Sequence, residues 1–325
     1  MSASMAMSPA EVETAQQALP HSPPGSAHCI SGLMPASSHC VRVGGVSLSL
    51  VVGGSDDLLL DRSLEAFRTL DSSPNIQLEV SWQHTLPVRR LPIFDSQSLW
   101  ASYREDENFI LSFTSALLGP HPYKCLRIDE SFRAGEMVLS REALDAYRPV
   151  CPLEYPADEL LITNYLARHG LGVEVHGCGI IDRETGGHLF LGHSGAGKST
   201  TTRLWQSLRD AEILSDDRII LRLHDGELWM YGTPWHGEAA LASPNKAKLN
   251  RIFVLHHGDE NKVSLMSASH AVGELFARSF PPFHSAAGLE HAVEFLHAVV
   301  DAVPCYEFHF LPEASAIQTA LRFHD

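Results

Sequence analysis

Positive charge, paired cysteines and long apolar runs are all scarce in this chain of 325 residues. Lys and Arg number 24 against 39 Asp and Glu, a formal net charge of −15. That balance disfavours nucleic acid or an anionic membrane as a partner. A nucleotide would have to be held by a local pocket, against the overall field. The six cysteines, Cys29, Cys40, Cys125, Cys151, Cys178 and Cys305, are scattered and form no C-x-x-C pair, so they read as reduced thiols of a cytoplasmic protein. No stretch approaches the roughly 18 apolar residues of a membrane span, and residues 1–25 lack the basic and apolar regions of a secretory signal. Nineteen histidines are present, but none falls in H-E-x-x-H or a comparable ligand spacing. Internal repeats and heptads are absent. What remains is the composition of an ordinary soluble protein, 44% hydrophobic and 19% charged, and long enough for two domains.

Against that background one stretch stands out. Gly192-His193-Ser194-Gly195-Ala196-Gly197-Lys198-Ser199 fits G-x-x-x-x-G-K-[ST] at every fixed position. The apolar run His188–Leu191 precedes it, and Thr200 to Leu208 continues as a helix. Strand, glycine loop and helix in that order make a phosphate-binding loop: the glycines turn the backbone so that successive N–H groups meet phosphate oxygens, and the helix adds the positive end of its dipole. The expected nucleotide contacts are Gly192, Ser194, Gly195, Ala196, Gly197, Lys198, Ser199 and Thr200, with Lys198 on the β/γ-phosphates and Ser199 on Mg²⁺.

Eighteen and nineteen residues beyond Lys198 stand Asp216 and Asp217, closing the apolar run Ala211–Ser215. A nucleotide site needs carboxylates at a strand's end, one for Mg²⁺ or its water shell and one for an acceptor hydroxyl's proton. A turn or helix cap is the plainer alternative for Asp-Asp. Arg218–Leu223 and Leu228–Tyr231 flank Asp225-Gly226 and predict a hairpin. The loop Gly232–Glu238 is too rich in turn and polar residues for a core strand. It is expected to line the phosphate end, with Glu238 near a metal and His236 near phosphate or acceptor, unless both only shape a surface loop. Lys246, Lys248 and Arg251 follow; one would neutralise transferred phosphate charge, unless they form a solvated face.

Taken in order, residues 1–37 read as a disordered tail rich in Ser, Ala, Pro and Met, and 38–150 as a smaller β-rich, α+β domain. Its strands are expected at Cys40–Val43, Ser47–Val52, Ile76–Trp82 and Phe109–Phe113, with a helix at Leu58–Leu70. Residues 151–325 read as an α/β nucleotide-binding domain. A helix is expected over Tyr155–Gly170, a strand over Val173–Ile181, and a hairpin into the strand before the loop, which implies a mixed rather than all-parallel sheet. Further on come a strand at Ile252–Leu255, helices at Ser269–Phe280 and Gly288–Val303, a strand at Tyr306–Phe310 and a short helix at Pro312–Phe323.

His176-Gly177, the loop Gly192–Ser199 and Asp216-Asp217-Arg218 together resemble the catalytic domain of HPr kinase/phosphorylase, a bacterial protein-serine kinase in the P-loop group that includes phosphoenolpyruvate carboxykinase. The stretch from Leu153 through Gly232–Glu238 to Tyr306 is similar to bacterial HPr-kinase-like proteins, among them kinases of lasso-peptide precursors. The resemblance covers 151–325 and implies ATP and Mg²⁺ as cofactors. It also implies Lys198 and Ser199 on phosphate and metal, Asp216 as the base for an acceptor serine, Asp217 beside the metal, and His176 next to the base. Two departures stand out: Thr200 replaces the glutamate that usually follows the loop serine, and the family's Gly-rich signature gives way to Gly232–Glu238. The leading expectation is a phosphotransferase acting on a serine of a peptide or small protein, with the N-terminal domain as acceptor-binding module and the oligomeric state open. A regulatory ATP-binding module, and a small-molecule kinase or carboxykinase-like enzyme, are the alternatives.

Overall fold

Sixteen strands and seven helices are resolved in the computed structural model, which describes residues 38–53 and 58–322. The tail expected over 1–37 lies outside the described residues. No described helix is long and apolar enough to cross a membrane. The first eight strands are β1 (Ser38–Val43), β2 (Val46–Val52), β3 (Ile76–Gln83), β4 (Phe94–Asp95), β5 (Trp100–Glu105), β6 (Asn108–Ser115), β7 (Gly119–Ile128) and β8 (Ala134–Ser140). They form one mixed sheet in the order β1-β2-β3-β8-β7-β6-β5-β4, in which β3 runs parallel to both β2 and β8. Alternation decides its faces: in Ile76-Gln77-Leu78-Glu79-Val80 the apolar residues are buried and the polar ones exposed. The helices here are short, α1 (Arg62–Glu65) and α2 (Arg141–Leu144). The longer helix expected at 58–70 does not form, because the chain after α1 pairs with β1: Arg42 N–H donates to Phe67 O, and Thr69 N–H to Cys40 O.

The second half begins with α3 (Ala157–Arg168), then β9 (Gly172–Asp182), β10 (Gly186–Leu191), α4 (Lys198–Arg209), β11 (Glu212–Ser215), β12 (Arg218–His224), β13 (Glu227–Tyr231) and β14 (Lys246–His257). β15 (Lys262–Leu265), α5 (Ala268–Phe276), α6 (Ala286–Ala302), β16 (Cys305–Phe310) and α7 (Ser315–Arg322) complete it. This sheet is also mixed, with order β10-β9-β12-β13-β14-β16-β15 and β11 on β9. As the predicted hairpin requires, β10 runs antiparallel to β9. The strand expected at 252–255 is far longer. Its first residues pair with β13, and Leu249–Val254 run parallel to β10, closing a ring of strands. That length carries Lys246 and Lys248 to the end of β14 remote from the glycine loop, where Lys248 pairs with Glu227, while Arg251 donates to Ala320 O. The phosphate-neutralising role considered for these three residues is therefore not what the fold gives them.

Helices cover both faces of the second sheet. α5 and α6 pack through Leu275, Leu296 and Val299, and α4 and α7 through Trp205 and Ile317. The first sheet's core takes in Leu161 and Ile162 of α3, Ile220 of β12 and Trp235, so both sheets share apolar contacts within one compact unit. α5 stops at Phe276, earlier than the expected Phe280, because the next residues join β9: His176 N–H donates to Arg278 O and Phe280 N–H to Glu174 O.

Candidate active site

The glycine loop joins β10 to α4. β10 is held from behind by stacking of Phe190 on Phe253, ring centroids 4.9 Å apart, and α4 buries Trp205 in the same layer. Gly195 and Gly197 sit at φ +83° and +104°, the left-handed region that a side chain strains to reach. A Cβ on Gly195 would meet nothing within 4 Å, so the loop crest is open. Gly192, Ser194, Gly195, Ala196, Gly197, Lys198, Ser199 and Thr200 therefore lie together at the strand–loop–helix junction, with Ser199 and Thr200 half-buried in the first turn of α4.

Lys198 is buried, and its ammonium donates to the loop carbonyls of Gly192 (2.9 Å) and His193 (3.2 Å) and to His176 Nε2 (2.8 Å). Burial holds its pKa below the ordinary lysine value. Burial also lowers the His176 pKa, helped by the Lys198 charge, which keeps the imidazole neutral. With Nε2 accepting from lysine, the ring proton is assigned to Nδ1, which faces Asp217 Oδ1 at 3.5 Å. That is beyond a good hydrogen bond. His176-Gly177 works as a unit: a Cβ on Gly177 would come within 2.9 Å of Phe190 O, and its N–H donates to Asp217 O. Cys178, whose thiol lies 3.8 Å from Lys198 O, is buried, with its pKa pushed up to about 12, so it is a packing residue and not a nucleophile.

The two neighbouring carboxylates differ. Asp216 is 1% exposed and accepts three backbone N–H bonds, from Gly237 (2.9 Å), Ala239 (2.9 Å) and Leu241 (3.3 Å). Asp217 has a side chain 27% exposed, faces His176, and takes Arg218 Nε at 3.1 Å. Glu238, expected near a metal, is exposed on the same loop and makes no hydrogen bond or ion pair with the other site residues. Among the described residues no group of three or more His, Cys, Asp or Glu is placed to hold a metal ion alone.

Three features escape sequence reasoning. Arg278 is buried; its Nη2 lies 3.0 Å from His193 Nε2 on the glycine loop, and its Nε has no partner. A lone arginine in the apolar stretch Phe276–Phe280 is its only trace in the sequence. The first-turn acids of α3 are not solvent-facing helix charges: Glu159, together with Glu174 of β9, accepts from Arg218, which stacks 3.8 Å over the Phe280 ring. Asp158 accepts from Trp235 Nε1 at 2.7 Å, and burial raises its pKa to about 7. Finally, a cavity of about 350 Å³ opens beside Asp217, walled by Asp61 and Ser63 from the first half and by Tyr155, Trp235 and His236 from the second.

Fold and site define an α/β chain of two mixed sheets with a glycine loop between strand and helix. No protein-family model matches the chain, and no curated protein is similar to it. Among solved structures it is similar to the HPr(Ser) kinase/phosphatase from Coxiella burnetii, at 13% identity over 46% of this chain and 93% of that one, with a TM-score of 0.25. A likeness that slight carries neither activity nor site residues across to this chain.

Proposed function

We propose that the chain is an ATP- and Mg²⁺-dependent phosphotransferase that moves a γ-phosphoryl group to a hydroxyl, a serine of a peptide or small protein. The observation that carries this reading is the chain Lys198–His176–Asp217 set against an open glycine loop. The residues fit the cofactors. The loop leaves room at its crest, and the first-turn N–H groups of α4 are the usual cradle for phosphate. Magnesium at such a site takes one hydroxyl or carboxylate and shares the remaining positions with phosphate and water, which suits Ser199 and needs no all-protein cage. When bound, the nucleotide and metal supply the phosphoryl group and the neutralisation of its charge.

The protein's own contribution is positioning. Lys198 fixes a cation beside the loop, and Arg278, ion-paired with Glu274, fixes a second whose charge is partly neutralised. Asp217 is the carboxylate assigned to the acceptor's proton, because it alone of the pair has a free face on the 350 Å³ cavity. Arg218 holds Asp217 on one side, and neutral His176 faces it at 3.5 Å on the other. Asp216 is a positioning residue that clamps the 237–241 loop. The first half of the chain, through Asp61 and Ser63, forms one wall of the acceptor's entrance.

The test incubates the protein with γ-labelled ATP, Mg²⁺ and the peptides or proteins encoded beside it, comparing wild type with Lys198→Ala and Asp217→Asn. Label on a polypeptide hydroxyl, lost in both variants, is the expected result. Nucleotide binding without transfer would make the chain a regulatory module. Label on a small metabolite alone would make it a small-molecule kinase.

A further inference from the structure

A second concave surface lies away from the glycine loop. Where the turn Gly44–Gly45 rests on the β12–β14 face it leaves a cleft of about 910 Å³. Gly44 packs on Ile220, and Arg222 follows two residues along the same face of β12, four residues from Arg218. That places the cleft about 13 Å from the site's arginine, at roughly 3.3 Å per strand residue. Cross-strand pairing sets Arg222 opposite Trp229 and Tyr231 opposite Lys246, so cations and aromatics interleave on one sheet face.

The charge of this cleft opposes that of the chain. Arg42, Arg68, Arg222 and Lys246 line it, and Glu212, the one carboxylate in the lining, is already occupied by Ser243 and Asn245. Arg42 and Arg68 have acid partners, Asp71 and Glu65. Arg222 and Lys246 have none among the described residues. Arg222 Nη1 donates to Gly44 O, its Nε is buried without a partner, and Lys246 lies 4.5 Å over Trp229 and 5.4 Å over Tyr231. Both cations thus flank one tyrosine ring. A guanidinium with no carboxylate partner in a positive hollow lacks the charge-assisted bonds that an anionic ligand would supply. In a chain of net charge −15 such a hollow is a local exception.

We propose that this cleft is a docking site for an acidic polypeptide segment, whose carboxylates complete Arg222 and Lys246 while its backbone lies over Tyr231. Its volume exceeds what a single phosphate fills, and its four cations come from four separate chain segments, which suits carboxylates spaced along an extended chain. The inference does not depend on phosphotransfer, and its test reads binding alone.

The experiment measures fluorescence anisotropy of a labelled Glu-rich decapeptide with the full chain at low salt, against the same peptide with Gln in place of Glu. The expected result is at least tenfold tighter binding of the Glu peptide, weakening as salt rises. Arg222→Gln/Lys246→Gln should abolish that preference. Lys246→Gln alone, at an exposed position that leaves the fold intact, should reduce it about threefold, and Lys198→Ala should leave it unchanged. Equal binding of the two peptides, preference surviving in the double variant, or loss of preference in Lys198→Ala overturns the proposal. So does full displacement of the peptide by millimolar inorganic phosphate, which would make the cleft a small-anion site.

Discussion

Two clusters of charge sit side by side along β9, at Glu174 and at His176, and differ in how completely they are satisfied. In one, Arg218 is held by Glu159, Glu174 and Asp217 and stacked on Phe280, while Asp158 is bonded to Trp235. In the other, Lys198 lies on loop carbonyls and a neutral histidine, and His176 faces Asp217 at 3.5 Å. In the first every acid has a partner, the arrangement that holds a fold in register, although Asp158, Arg218 and Trp235 also line the cavity of about 350 Å³. The second is joined by a contact too long for a good hydrogen bond and borders the open glycine loop, and of its members Asp217 alone lines the cavity. Asp216 and Asp217, adjacent in sequence, differ in the same way: Asp216 is buried with three backbone N–H partners, while Asp217 is part-exposed and belongs to both clusters, bonded to Arg218 and facing His176.

Substitutions can break the comparison in turn. Lys198→Ala should have the largest effect, lowering label transfer about 1000-fold or more with no change in the urea midpoint. Arg218→Met strikes the closed cluster: it leaves Glu159 and Glu174 buried without a cation, and urea unfolding should show a loss of about 3–5 kcal/mol. Asp217→Asn returns to the open cluster and should lower turnover about 100-fold while leaving stability near wild type.

The last effect is a pH dependence from Asp158. Its folded pKa of about 7 lies above the ordinary 3.8, so the folded chain keeps a proton that the unfolded chain has released between those values. The stability it contributes is complete below the unfolded pKa and is lost as pH rises through about 7. Urea unfolding of Asp158→Asn should therefore gain on wild type across that window, by at most about 1.4 kcal/mol per pH unit.

The glycine loop was legible because its motif joins backbone requirements to two fixed side chains, Lys198 and Ser199, and Gly195 and Gly197 have the positive φ such a turn demands. The hairpin at Asp225-Gly226 was legible for the same reason, both residues having positive φ. Period-2 alternation exposed β3, and an apolar face with an acidic first turn exposed α3. What stayed hidden depends on chain segments distant in sequence. The acids of α3 look like helix-start charges until Arg218 and Trp235 arrive from residues far downstream. The helix expected at 58–70 lost its start to pairing of Leu59 with Val150 and its second half to pairing with β1. Asp216 gave no sign that the loop read as lining the phosphate end would wrap its carboxylate in N–H donors.

The comparison is tested most directly by measuring phosphotransfer rate and urea midpoint together for Asp216→Asn and Asp217→Asn. Two separate outcomes are expected: Asp217→Asn loses the rate and keeps the midpoint, while Asp216→Asn lowers the midpoint as the 237–241 loop loses its acceptor. A protein in which Asp216→Asn abolishes transfer at an unchanged midpoint, with Asp217→Asn still active, would contradict the account.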